Sequence, residues 1–332
     1  ITDDGCAQLV APIAARRNLT LRTLNVAGSD LPVKELMTQA DFRMIQTFIA
    51  DKDALVISQL VLANRRLRAL HLVNADISDT GARYLSQSLA SISTTATHLD
   101  LQANHIADAG ALAIARMLEG NRTLRTVNLS HNWIQDQGCG ALATALLSNN
   151  TIRHLDLATQ RPGLSDKCAP GLAKLIASSV RKRANTSALS TDYDGEEDEA
   201  ERDDWVHDDD EDRPGIRSLS LAGNNFTGAG ATRIFNAVAR NTSLDTLDLG
   251  RNALGDGCLA ALETAIRANS TLKQLAVNHN AFTDKGVKDT LIDAIKDNRG
   301  LTHLNLRSPE LEQWTRERIV KVWDMRTVNL EV

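Results

Sequence analysis

The sequence predicts a curved α/β solenoid, with short parallel strands along a concave face and helices along a convex one. Three observations carry this. An L-x-x-L-x-L pattern recurs nine times along 332 residues, five of the copies completed by Asn three positions later. Most copies start 28 or 29 residues apart. Each is followed, often after D-x-G, by an Ala-rich segment with helical apolar spacing that ends in Asn. The alternating apolar pair makes a short strand with one buried face, and a strand-plus-helix unit of this length buries its apolar side only by stacking on its neighbours. Strands stack at about 4.8 Å whereas packed helices need about 8–10 Å, so the helical side splays and the array bends.

Taken in order, the chain opens as ITDDGCAQLVAPIAARRN, the second half of a unit whose strand is absent. Because a solenoid end needs a polar cap, this opening predicts that the chain is part of something longer. The first strand pattern begins at Leu21. Residues 32–64 then exceed a 28-residue unit by about 18 residues of helix-compatible sequence, predicting an extra helical insertion on the rim or a degenerate repeat without a recognisable strand. Copies at Leu67, Ala96, Leu124 (LRTVNLSHNWIQDQG) and Ile152 complete a first array, residues 1–182.

Residues 183–214 read differently. The span 192–212 holds fourteen Asp and Glu against Arg202, a local charge of −13 inside a chain of net charge −5, so the remainder is +8. Low hydropathy and high charge predict a disordered insertion. Its acidic side chains, Asp194, Glu196, Glu197, Asp198, Asp208, Asp209 and Asp210 among them, surround Trp205, which suits a docking peptide or a lid over the concave face. Repeats resume at Ile216, Leu244, Leu272 and Leu301, spanning 215–308. In 309–332, Trp314, Ile319, Val322 and Trp323 have the spacing of a helix that covers the last repeat.

Three recurrent positions follow from the template. Asn104, Asn132, Asn224, Asn252 and Asn280 stand where the chain leaves the strand and can satisfy turn backbone groups. Asn18, Asn64, Asn121, Asn149, Asn241, Asn269 and Asn298 precede strand patterns by three residues and read as left-handed helix stops. Five of these begin Asn-x-Ser/Thr, better explained by the repeat than by glycosylation. Cys6, Cys139, Cys168 and Cys258 share one slot at the helix start, which fits small buried residues in a reducing compartment and argues against disulfides or zinc.

The candidate binding residues are also set by register. The second template position carries Arg22, Arg68, Arg125, Arg153, Arg217 and Lys273, a basic edge suited to acidic partners, interrupted by Thr97, Asp245 and Thr302. On the concave side, Thr23 and Asn25 head a series in which His71, Asp100, Asn128 and Asp156 form one row and His98, Thr126 and His154 another. This is a polar face for other proteins, several of them within a larger complex. No GxxxxGK[ST], HExxH or CxxC is present, so no catalytic residue, metal ligand or cofactor is assigned and no small-molecule substrate is evident. Aromatics are 3%, leaving few stacking groups for nucleic acid. No apolar run approaches the roughly 20 residues of a membrane span, and residues 1–20 lack the pattern of a secretory leader.

The L-x-x-L-x-L-x-x-N-x-I-x-D-x-G repeat of 28 and 29 residues resembles the ribonuclease-inhibitor-type leucine-rich repeat over nearly the whole chain. Families sharing it include ribonuclease inhibitor, NOD-like receptor sensor domains, the GTPase-activating protein of Ran, tropomodulin, and leucine-rich-repeat subunits of ciliary axonemes. The resemblance implies a non-enzymatic protein-binding scaffold in the cytoplasm, at the cytoskeleton or cilium. Its alternatives are a Ran-type GTPase activator, whose acidic stretch follows the repeats instead of interrupting them, and a fragment of a NOD-like sensor.

Overall fold

The computed structural model describes residues 8, 11, 23–25, 30–45, 49, 51–91, 95–178, 215–324 and 329–331. Arg22, Cys6, Asn18 and the whole 192–212 tract, Trp205 included, lie outside the described residues. Strand β1 (Thr23–Asn25) pairs antiparallel with β2 (Asp30–Pro32), and helix α1 (Val33–Thr38) follows directly. Then come β3 (Asp41–Ile45), α2 (Asp51–Ala63), β4 (Ala69–Val73), α3 (Asp79–Leu89), β5 (His98–Asp100), α4 (Asp108–Gly120), β6 (Thr126–Asn128), α5 (Asp136–Leu146), β7 (His154–Asp156) and α6 (Ala169–Ser178). The later units are β8 (Ser218–Ser220), α7 (Gly228–Val238), β9 (Thr246–Asp248), α8 (Leu259–Ala268), β10 (Gln274–Ala276), α9 (Asp284–Asp297), β11 (His303–Asn305), α10 (Gln313–Asp324) and β12 (Asn329–Glu331).

Strands β3 to β12 form one parallel ten-stranded sheet in chain order. Each register is centred on the inward residue, as in Leu70 opposite Leu99, Val127 opposite Leu155 and Leu155 opposite Leu219. The core lies between this sheet and the helices. Leu124, Val127 and Leu129 are all fully buried there.

Three expectations need correction. The copy at Leu21 is not a rung of the parallel sheet, so Thr23 and Asn25 do not head the concave rows. Only four residues separate β1 from β2, enough for an antiparallel return but too few for the crossover that parallel pairing needs. The segment 32–64 is a repeat in its own right, with β3 as its strand. Phe42 and Met44 pair with Leu70 and Leu72, and Gln39 occupies the first leucine position. The helix-stop asparagines are extended, not left-handed: Asn121 has φ −70° and ψ 134°, and Asn298 has φ −69° and ψ 136°. The left-handed residues come after the strands instead, at Asn74, Ala103, His131, Thr159, Gly223, Arg251 and His279.

The asparagines hold neighbouring repeats together. Asn121 Nδ2 donates to the Leu89 carbonyl of the preceding unit at 2.8 Å, while its Oδ1 accepts from Leu124 N–H. Asn149, Asn241 and Asn269 donate in the same way to Leu118, Ile176 and Val238. All four are at most 5% exposed, which removes them from the reach of a glycosylating enzyme. The post-strand asparagines do equivalent work, and Gln160 substitutes for one of them by donating to the Leu129 carbonyl and accepting from Ile134 N–H.

The D-x-G element links repeats in the opposite direction. Asp79 Oδ1 accepts from Ala107 and Gly110 N–H of the next unit, and Asp108 Oδ1 accepts from Gln135 and Gly138 N–H. Each aspartate therefore caps the following helix, whose free N–H groups and positive dipole end favour a carboxylate. Glycine is required because a Cβ at Gly138 would lie 2.6 Å from Asp108 Oδ1. We expect Asp108→Ala to lose about 1–2 kcal/mol in urea unfolding. The double variant with Gly138→Ala should lose less than the sum of the two singles, and strict additivity would show that the two residues act separately.

The same device spans the long insertion. Asp166 Oδ1 accepts from Thr227 N–H at 2.8 Å, and β7 pairs directly with β8, so residues on either side of 179–214 behave as consecutive repeats. Cys139, Cys168 and Cys258 are buried free thiols at helix starts. The single slot does not keep them all apart: Cys139 and Cys168, one repeat apart, interact, and this contact together with burial pushes the Cys168 thiol far up. Burial, with a smaller push from the Asp256 carboxylate, raises Cys258 to about 12.

Candidate partner-binding face

Outward residues of successive strands stand side by side. The register Arg43, His71, Asp100, Asn128, Asp156, Ser220, Asp248 forms one row, and Ala69, His98, Thr126, His154, Ser218, Thr246 forms the other. In the first row His71 bridges two carboxylates, with Nε2 3.5 Å from Asp41 Oδ1 and Nδ1 3.3 Å from Asp100 Oδ2. The Arg43 guanidinium bonded to Asp41 holds that carboxyl below its ordinary value. Asp100, Asn128, Asp156 and Asp248 each use one side-chain oxygen to accept the N–H two residues on, closing the turn after the strand. Of the remaining oxygens, Asp100 Oδ2 meets His71 and the Asp156 carboxylate also accepts from Ser220.

Farther along the row the carboxylates shift the other way. Half-buried Asp156 is raised by burial, and Asp100 adds repulsion. Burial likewise raises Asp248, reinforced by Asp156. His154 is lowered, first by loss of hydration and then by Arg217, His98 and Arg153, so it is neutral at pH 7. Burial and the neighbouring carboxylates thus both act against ionisation of Asp156 and Asp248. Among the described residues, no cluster of three or more His, Cys, Asp or Glu is placed to hold a metal, and no helix is long and apolar enough to cross a membrane.

The basic edge runs along the N-terminal ends of the strands. Arg68, Arg125 and Lys273 are exposed, whereas Arg153 and Arg217 are partly covered. Two of these arginines also serve the fold: Arg68 Nη1 donates to the Thr95 carbonyl and Arg153 Nη1 to the Asn150 carbonyl. The edge is therefore less free than an aligned series of arginines suggests.

A further group, missed in the sequence, lies at the opposite ends of the strands. Asp76, His105, Trp133 and Arg161 occupy one template position in four consecutive repeats. His105 Nδ1 is 2.6 Å from Asp76 Oδ1, and the imidazole meets the Trp133 indole with ring centroids 4.6 Å apart and planes tilted by 56°. Trp133 is 45% exposed although its ring is braced on one side. Its backbone is fixed by donation to the Ile106 carbonyl, and Arg161 is exposed beside it. The signal was a large aromatic at a position outside the apolar template, followed one repeat later by arginine.

With this geometry in view, the comparisons with known proteins can be placed on it. A family model described as Leucine Rich repeat matches residues 63–86, 93–115, 120–143, 240–262 and 268–289, each span covering a strand and much of its helix. The chain contains leucine-rich repeats. Among solved structures, these repeats are similar to one titled "Leiomodin-1 Actin-Binding Site 2 (ABS2)", at 19% identity over 59% of this chain and 76% of that one, with a TM-score of 0.34. They are also similar to the tropomodulin C-terminal domain of Caenorhabditis elegans, at 14% identity over 66% and 92% of the two chains, with a TM-score of 0.34.

Proposed function

We propose that this leucine-rich-repeat chain is a non-catalytic scaffold of the ribonuclease-inhibitor type, which binds other proteins through its concave sheet and the strand-end edge beside it. The observation that carries the reading is Trp133, an exposed indole held in one orientation by His105 and Asp76. A large, pre-ordered aromatic flanked by an exposed arginine has the composition of an interface hot spot. The polar rows beside it, from His71 to Asp156 with His98 and His154 alongside, supply directional contacts. The basic edge of Arg68, Arg125, Arg153, Arg217 and Lys273 supplies attraction to acidic surfaces. The repeat spacing and the resemblance to axonemal subunits support a place in a larger cytoplasmic assembly at the cytoskeleton or cilium.

The test is cross-linking and mass spectrometry on the native protein, followed by binding measurements with the partner recovered. Trp133→Ala should weaken that partner by about 2 kcal/mol, roughly thirtyfold, with no change in the unfolding midpoint. Unchanged affinity would remove the edge from the interface. A small GTPase as the principal partner would replace the scaffold reading with a regulatory one, and stimulated GTP hydrolysis would then be assayed.

A further inference from the structure

The convex face carries a second feature that the repeat pattern does not require. Between α3 and α4 runs a trough of about 320 Å³. One wall is the stripe Arg83, Ser86 and Gln87 of α3 with its capping residue Ala90, and the other is the stripe Ala109, Leu112, Ala113 and Arg116 of α4, with Met117 beside it. Both stripes follow i, i+3, i+4, i+7 spacing, so the trough extends along about two helical turns, roughly 10–12 Å. Its floor is small and apolar, and Leu112 on one wall is 39% exposed.

Two observations mark this trough as built for a ligand. Ser86 is only 5% exposed, yet its Oγ has no hydrogen-bond partner while it lines the trough. A buried hydroxyl without a partner is destabilising, so an arriving polar group would be favoured there. The second observation is charge. Arg83 and Arg116 stand on opposite walls of the trough, about one helical turn apart along it. Neither forms an ion pair with a carboxylate among the described residues, and no acidic side chain lines the space.

We propose that this trough is a docking site for an acidic amphipathic helix of a partner protein. Such a helix would set one apolar side chain between Leu112 and Met117, place carboxylates on Arg83 and Arg116, and present an acceptor to Ser86 Oγ. A linear groove of this length with an alanine floor lets a helix backbone approach closely, and diagonal cations fix its direction. This site is independent of the strand-end edge, so one chain would hold two partners on opposite faces.

The experiment uses the full chain and a fluorescein-labelled, alanine-based helical peptide with a central leucine and a glutamate one turn before and one turn after it. Anisotropy should report saturable binding. Arg83→Glu with Arg116→Glu should weaken it at least about tenfold, and a matching lysine-for-glutamate peptide should recover affinity for that variant. Ala113→Trp, which fills the trough from a partly exposed position, should abolish binding, whereas Trp133→Ala should leave it unchanged. Equal binding to the wild-type and Ala113→Trp chains would overturn the proposal. So would displacement of nothing but a simple amphiphile such as dodecanoate, which would assign the trough to a small anion.

Discussion

Asn132→Ala is expected to lower the unfolding free energy by about 2–4 kcal/mol. Asn132 is fully buried. Its Nδ2 donates to the carbonyls of Leu101 at 2.9 Å and Leu129 at 3.0 Å, and its Oδ1 accepts from Ile106 N–H at 3.1 Å. Alanine would leave the Ile106 N–H enclosed without a partner, at about 1–3 kcal/mol before any relaxation, and would open a cavity, while the carbonyls of Leu101 and Leu129 keep the Asn104 and Gln160 amides that also reach them. Leu101 and Ile106 belong to the preceding repeat, so two units lose support together. Urea unfolding followed by circular dichroism measures this directly. A loss below about 1 kcal/mol would mean that the surrounding backbone finds other partners, and that the buried amide is not what joins the units.

At the far end, Trp323→Ala should cost about 3–5 kcal/mol, while Trp314→Ala should cost less than about 1 kcal/mol. The sequence treats the two tryptophans alike, as parts of one covering helix. In α10, Trp323 is fully buried with Ile319 and Val322 in the main core, whereas Trp314 is 55% exposed and touches the Lys288 ammonium, whose Nζ lies 4.5 Å from the ring centroid. Removing Trp323 opens a large cavity and uncovers the last repeats. Removing Trp314 loses one solvated cation–aromatic contact. Thermal unfolding of the two variants, with fluorescence to identify which indole remains, separates these cases. Similar losses for both would place Trp314 in the core as well.

The leucines made the parallel sheet legible, because a repeated strand with one buried face leaves the same apolar residues at every turn of the array. Where other residues fill the same space, the pattern fades. Phe42 and Met44 bury as well as leucine but break the template, so β3 is invisible to it. Conversely, Leu21 and Leu24 imitate the template in a segment whose short connection forces antiparallel pairing. The role of the helix-stop asparagines was misjudged because residue type alone does not distinguish a backbone that needs a left-handed turn from an amide that reaches the preceding unit. The concave rows follow from register once the strands are placed. Trp133 does not, since a residue that occurs once has no periodicity, and its bracing by His105 and Asp76 depends on stacking across three repeats.

The hydrogen bonds between repeats carry a consequence for how such a chain can lengthen or shorten. Aspartates serve the unit ahead, as Asp79 serves Gly110 and Asp108 serves Gly138, and asparagines serve the unit behind, as Asn132 serves Leu101 and Ile106. Excising one complete internal repeat would bring an equivalent aspartate and an equivalent asparagine to face each other, and every bond would be remade. Excising half a repeat would strand both. Gene duplications and losses should therefore survive in steps of one whole unit, while foreign sequence can enter only where the two sets of bonds can still meet around it, as they do between Ser178 and Gly215.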